Sequence, residues 1–258
     1  MIKKVILTRP SGPYSGARRL ASKLESKGYD TRELPLLKCV PINITQNDRV
    51  KVLRMLQAFD CSWLVFLSPM AVWVWKDLID EDADLLQSTA KSKIATQGSG
   101  TANAVKECFN RNPDFVPSVF VAEDFAREFI GVLQKGEWVV VPQSTDGRDV
   151  FVPWLAAAGF SVYGAGIYRL EANEISKDEI SEYRRFVSSD TAIVFMSPSA
   201  ASAASLVLGG VLGTDKIISV GPITSQAIKQ AGLAVWREAK EHSEDGVLQV
   251  LDEARLHR

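Results

Sequence analysis

Phe66-Leu67-Ser68-Pro69-Met70-Ala71 and Phe195-Met196-Ser197-Pro198-Ser199-Ala200 are two versions of one phrase. Each follows a short apolar run, Trp63-Leu64-Val65 in the first case and Ala192-Ile193-Val194 in the second. Such a run, ended by Ser-Pro, reads as a buried strand leading into a helix. Other landmarks recur around it in the same order and at similar spacing. Lys93-Ile94 with Gly98-Ser99-Gly100-Thr101 returns as Lys216-Ile217 with Gly221-Pro222-Ile223-Thr224. Lys4-Val5-Ile6-Leu7 resembles Trp138-Val139-Val140-Val141, and Gly28-Tyr29-Asp30-Thr31 resembles Gly159-Phe160-Ser161-Val162. A duplicated α/β unit explains the set, and two domain-sized copies exclude a solenoid. Strands alternating with helix-length segments predict parallel sheets. Within the first copy the pattern predicts a helix over 15–27 stopped by Gly28, a strand over 29–34, and a helix over about 101–109.

The 258 residues allow one large domain or two small ones. Apolar residues make up 46 % and charged ones 24 %, the balance of a soluble globular protein. A net charge of −1 gives no global basic field, so general attraction to nucleic acid is not expected, though a local basic cleft is compatible with it. Three cysteines, Cys39, Cys61 and Cys108, without CxxC spacing, argue against a disulfide framework or a cysteine zinc site. The two histidines, His242 and His257, lie near the C-terminus, which disfavours a His-centred triad or a His metal site. His242 sits in a polar run and reads as exposed and inert. No GxxxxGK[ST] loop occurs, and Gly98-Ser99-Gly100-Thr101 misses the third glycine of GxGxxG. The expectation is a chain with no metal and no cofactor. The N-terminal apolar run is too short for a signal peptide and the stretch 200–213 too short to span a bilayer, so a cytoplasmic, non-membrane protein is expected.

Two copies suggest two domains with a cleft between them. Ligands of open α/β sheets bind beyond the C-terminal ends of strands, where helix N-termini favour anions. The repeated Ser-Pro and Gly-x-x-Thr turns fall at those ends. Ser68, Ser197 and Ser199 read either as helix caps or as anion ligands; without a GxSxG elbow or a placed histidine, none reads as a nucleophile. Thr101 and Thr224 fit a tight turn with a threonine capping a helix. Arg9 and Arg148 follow matching strands and read either as solvated arginines or as partners of a ligand carboxylate. Tyr168, in Ala165-Gly166-Ile167-Tyr168-Arg169, reads either as a boundary packing residue or as a phenol that donates a hydrogen bond to a leaving group.

At these residues the chain resembles the uroporphyrinogen-III synthase family. The matching pieces are Leu7-Thr8-Arg9-Pro10, Glu33-Leu34-Pro35-Leu36, the two Ser-Pro phrases, Ile167-Tyr168-Arg169 and Val220-Gly221-Pro222-Ile223-Thr224. They span nearly the whole chain in the family's order. The first-copy turn departs from it: Gln97-Gly98-Ser99 stands where members usually read Val-Gly-Pro, and Gln143 follows Pro142 where an arginine is common. Both departures touch turns that would bind carboxylates. The resemblance implies a discontinuous first domain of residues 1–36 and 170–258, and a second of 37–169. Two extended crossovers would join them near 34–41 and 164–172. It further implies a cofactor-independent lyase that cyclises hydroxymethylbilane, a linear tetrapyrrole with eight carboxylates, to uroporphyrinogen III. Ring D is inverted and water is lost on the way. Tyr168 would assist hydroxyl departure; Arg9, Ser68, Thr101, Arg148, Ser197, Ser199 and Thr224 would bind substrate. A monomer is expected, with the enzyme that forms hydroxymethylbilane as a candidate partner. The rival reading is a non-catalytic two-domain binder or sensor of a small anion.

Overall fold

The computed structural model describes residues 1–10, 17–57, 62–118, 122–146, 150–208 and 216–256. Cys61, Arg148, His257 and the predicted helix start at Ser15 lie outside them. In chain order the elements are β1 (Lys4–Leu7), α1 (Ala17–Ser26), β2 (Asp30–Glu33), β3 (Leu37–Pro41), α2 (Gln46–Leu56), β4 (Ser62–Phe66), α3 (Pro69–Asp80) and α4 (Ala83–Lys91). Then come β5 (Lys93–Thr96), α5 (Ser99–Phe109), α6 (Ala122–Ile130), β6 (Trp138–Ser144), α7 (Phe151–Ala157), β7 (Ser161–Ala172) and α8 (Lys177–Phe186). Last are β8 (Thr191–Phe195), α9 (Pro198–Leu208), β9 (Ile217–Ser219), α10 (Pro222–Gln230), β10 (Arg237–Glu238) and α11 (Glu244–Leu256). The chain divides into two compact units, one of Met1–Cys39 with Glu171–Arg258, the other of Val40–Leu170.

Unit 1 holds a sheet of order β10-β9-β8-β1-β2. β1 pairs in parallel with β2, Lys4 opposite Asp30, and with β8, Lys4 opposite Thr191. β9 continues the parallel ladder between β8 and β10. Val5, Leu7, Ala192, Val194 and Ile218 share a core with Leu20 and Leu24 of α1 and Val247 and Leu251 of α11. α9 and α10 pack against β8 and β9. Burying each large aliphatic side chain is worth about 1.5–3 kcal/mol. Coverage of both faces is why these strands read as unbroken apolar runs rather than alternating ones.

Unit 2 holds a sheet of order β3-β7-β6-β4-β5, with β4–β5, β4–β6 and β6–β7 all parallel. Against one face Phe115, Phe125, Phe129 and Phe151 cluster with ring centroids 4.6 to 6.2 Å apart, over Trp63, Val65 and Ala95. On the other, Phe66 stacks on Phe109 of α5 at 6.1 Å. One pair departs from the predicted parallel arrangement. The Ile42 N–H donates to Ile167 C=O and the Asn173 N–H to Leu36 C=O, so β3 advances as β7 recedes and the two run antiparallel. The reason lies in connectivity: β3 carries the chain into unit 2 and β7 carries it out. These are the two extended crossovers.

The duplication and the spatial units cut the chain differently. Strand order is the same in both sheets, β9-β8-β1-β2 in one and β5-β4-β6-β7 in the other. The first copy supplies β1-β2 to unit 1 and β4-β5 to unit 2; the second supplies β6-β7 to unit 2 and β8-β9 to unit 1. Each unit therefore joins the leading half of one copy to the trailing half of the other. The shared glycine landmarks do the same job in each. Gly28 and Gly159 adopt φ of +80° and +88°, where a side chain would be strained, and end α1 and α7. The Tyr29 and Phe160 N–H groups then donate back to Leu24 and Leu155 C=O.

Candidate functional site

In unit 2 the parallel strands β4, β5 and β6 end along one edge, and two of the candidate side chains meet there. Ser68 has extended backbone and caps α3: its Oγ accepts from the Ala71 N–H at 3.2 Å, with Pro69 at the first helical position. The same Oγ lies 3.2 Å from the Tyr168 hydroxyl, and either oxygen can donate. Tyr168 is only 6 % exposed. It reaches this place through a register shift: Gln143 pairs with Gly166, but Ser144 pairs with Tyr168, so Ile167 is an extra residue on β7. Such a bulge bends the strand and re-aims the side chain beyond it. The small residues upstream lie close under neighbouring side chains. A Cβ at Gly164 would come within 2.6 Å of Gln143 Nε2, and one at Gly166 within 2.7 Å of Thr145 Cγ2. Gln143, the departure from the family pattern, thus lies over Gly164.

Thr101 and Thr224 do not cap their helices. The caps are Gly98 for α5 and Gly221 for α10, neither with a side-chain capping bond, because each helix begins earlier than the threonine. The threonines sit inside the first turns, 4 % and 3 % exposed. Near Thr101, a Cβ at Gly100 would lie 3.9 Å from Pro69 Cγ, so the first turns of α3 and α5 abut.

In unit 1, β1, β8 and β9 end along the corresponding edge. Ser197 repeats the Ser68 cap, its Oγ accepting from the Ala200 N–H at 3.2 Å. Ser199 is exposed in the first turn of α9. Arg9 follows β1 and pairs with Glu244 of α11, Nη2 to Oε1 at 2.8 Å, with its side chain 15 % exposed. Lys23 stands 3.7 Å from the same carboxylate. His242 is exposed as expected, yet its ring lies on Gly221, where an added Cβ would meet Cδ2 at 2.8 Å. Sequence reasoning passed over the hydroxyls that end β5 and β9. Ser219 Oγ accepts from the Gly221 N–H at 3.1 Å and donates to the Gly221 C=O at 2.7 Å. Thr96, its counterpart, is buried. Their signal was present: in both copies a hydroxyl residue stands two before the capping glycine.

The first turns divide by charge. α3, α5, α9 and α10, which leave the ends of β4, β5, β8 and β9, carry no acidic residue there. α2, α4, α6, α8 and α11 carry Asp48, Asp84, Glu123 with Asp124, Asp178 with Glu179, and Glu244 with Asp245. An acidic first turn neutralises the positive helix end; a turn without one keeps that potential for an outside anion. Among the described residues no group of three or more His, Cys, Asp or Glu is placed to hold a metal ion. No described helix is long and apolar enough to cross a membrane.

The family model described as uroporphyrinogen-III synthase HemD matches residues 18–249. A Methanocaldococcus jannaschii protein named provisionally as a uroporphyrinogen-III synthase is 26 % identical over 254 residues, covering 96 % of this chain and 97 % of that protein. The fold matches the crystal structure of uroporphyrinogen-III synthetase from Helicobacter pylori with a TM-score of 0.66 at 15 % identity, over 98 % of this chain and 100 % of that one. A mutant Thermus thermophilus uroporphyrinogen III synthase matches with a TM-score of 0.57 at 15 % identity, over the full length of both chains.

Proposed function

Because the chain belongs to the uroporphyrinogen-III synthase family, we propose that it cyclises hydroxymethylbilane to uroporphyrinogen III as a cofactor-independent lyase. In that reaction the terminal hydroxyl leaves as water and an azafulvene forms. A substituted carbon of ring D attacks it, and the spiro intermediate fragments and recloses with ring D inverted. Protons balance: one is taken up by the departing hydroxyl and one is released when the macrocycle is complete. Without enzyme the substrate closes to the uninverted isomer, so the protein must bias geometry rather than supply a strong reactive group. A chain without a histidine or thiolate constellation suits that demand.

The observation that supports this reading best is the charge division of the helix starts. The substrate carries eight carboxylates, and α3, α5, α9 and α10 keep their N-terminal potential uncompensated. Ser68, Thr101, Ser197, Ser199 and Thr224 belong to those turns, and Arg9 adds a guanidinium. Arg148 is part of the proposal on its sequence position alone. Substrate must compete with Glu244 for Arg9. Tyr168 is proposed as the donor to the departing hydroxyl. With Ser68 donating to the phenol oxygen, the phenol proton is the one passed toward the leaving group.

The test is incubation with freshly prepared hydroxymethylbilane and chromatographic separation of the isomers. The expected product is the type III isomer, in undiminished yield after exhaustive chelation and dialysis. Only the type I isomer, at the rate of the protein-free control, would overturn the proposal and favour a non-catalytic anion binder.

A further inference from the structure

The two copies finish their last strand with a hydroxyl, and the structure treats the two hydroxyls differently. In unit 1 the Ser219 hydroxyl is used up by Gly221, donating to its C=O and accepting from its N–H. In unit 2 Thr96 is 0 % exposed and its Oγ1 has no hydrogen-bond partner. The direction of that side chain follows from register. Thr96 pairs with Phe66 across β4–β5, and paired residues share a face. Phe66 stacks on Phe109 of α5, so Thr96 is on the α5 face of the sheet, two residues before the Gly98 cap. That turn is Gly98-Ser99-Gly100, has no acidic residue and has no side-chain cap. A buried hydroxyl without a partner destabilises the protein that holds it. Such a group calls for an explanation, and a partner from outside the chain supplies one.

We propose that the start of α5 is a built carboxylate subsite, with the Thr96 hydroxyl as its innermost donor, whereas at the equivalent turn of α10 the Ser219 hydroxyl is engaged by Gly221 and a ligand has the first-turn N–H groups alone. This rests on the reading of the ligand as a tetrapyrrole polycarboxylate and deepens it. A carboxylate oxygen enters over Gly98 and Gly100, which present no side chain, and takes the Thr96 O–H together with first-turn N–H groups. Thr96 is a binding residue here and takes no part in proton transfer.

The experiment pairs thermal unfolding with binding of uroporphyrin, a stable octacarboxylate macrocycle, in the wild type, Thr96→Val and Thr96→Ser. Valine keeps the shape and removes the hydroxyl. The expected result has opposite signs: Thr96→Val melts about 2–4 °C higher than wild type yet binds uroporphyrin about 5- to 30-fold more weakly. Thr96→Ser keeps affinity within about threefold. Equal affinity in wild type and Thr96→Val overturns the subsite, as does a lower melting temperature for Thr96→Val, which would mean the hydroxyl already has an internal partner. Hydroxymethylbilane turnover by the wild type is scored separately. Its absence, with uroporphyrin affinity still dependent on Thr96, removes the synthase reading and leaves the subsite standing.

Discussion

Ser68 and Ser197 cap their helices through the same bond at the same distance, 3.2 Å to the N–H three residues on. Beyond that bond the two regions part. Ser68 also holds the Tyr168 hydroxyl. Counted from the helix-stopping glycines, the first-copy counterpart of Tyr168 is Leu37, which has no hydroxyl to offer Ser197. The strand-end hydroxyls diverge too, Ser219 closed on Gly221 and Thr96 left without a partner. Duplication therefore supplied the backbone device twice, and the side chains that the device does not need were free to change. Where the copies agree, the residue builds the shared turn; where they differ, it is a candidate for chemistry that only one turn performs.

The largest effect on this contrast is expected at Tyr168. Tyr168→Phe keeps the ring and removes the donor, and turnover of hydroxymethylbilane should fall by about 100-fold or less. The product should remain the inverted isomer, and the melting temperature should hardly move. Wild-type kcat and KM in this variant would leave Tyr168 as a packing residue and erase the functional half of the comparison. Next comes the strand-end pair. Ser219→Ala removes two buried hydrogen bonds and should cost about 1–2 kcal/mol in denaturant unfolding, opposite in sign to Thr96→Val. If both substitutions moved stability the same way, the two turns would not differ as described. The smallest effect sharpens the contrast at the caps. Ser68→Ala and Ser197→Ala should each lose about 1 kcal/mol of stability. Only Ser68→Ala should also lower kcat, by about 2- to 10-fold, through its lost bond to the phenol. Equal kinetic losses in the two variants would put the serines back on one footing.

The repeat made the elements legible because its signals are local. Apolar runs such as Val139-Val140-Val141 mark strands covered on both faces, and Ser-Pro and Gly mark where helices start and stop. What escaped depends on distant partners. Nothing near Lys4 says that it will lie opposite Thr191, and nothing near Arg9 announces Glu244. The extra residue at Ile167 is a register event between two strands, invisible in either one. Gly-x-x-Thr resembles a capping turn and points to Thr101 and Thr224 as caps, but Gly98 and Gly221 occupy the cap position. Thr96 was hidden for another reason: a missing hydrogen bond leaves no trace in a sequence.

The central place of β1 has a consequence for the order in which the molecule can be made. β1 and β2 leave the ribosome before unit 2, but the second neighbour of β1 is β8, which follows all of unit 2 in the chain. Val40–Leu170 is continuous and can fold as it emerges. Until Thr191–Phe195 is synthesised, β1 has one side unpaired and α11 is not there to cover Val5 and Leu7. At the usual pace of about 5–20 residues per second, that wait is on the order of ten to forty seconds. An apolar strand edge exposed for so long is a target for chaperones and for misassociation. Mutations that weaken unit 1 should therefore reduce the yield of folded chains in cells more than they lower the melting temperature of the finished protein.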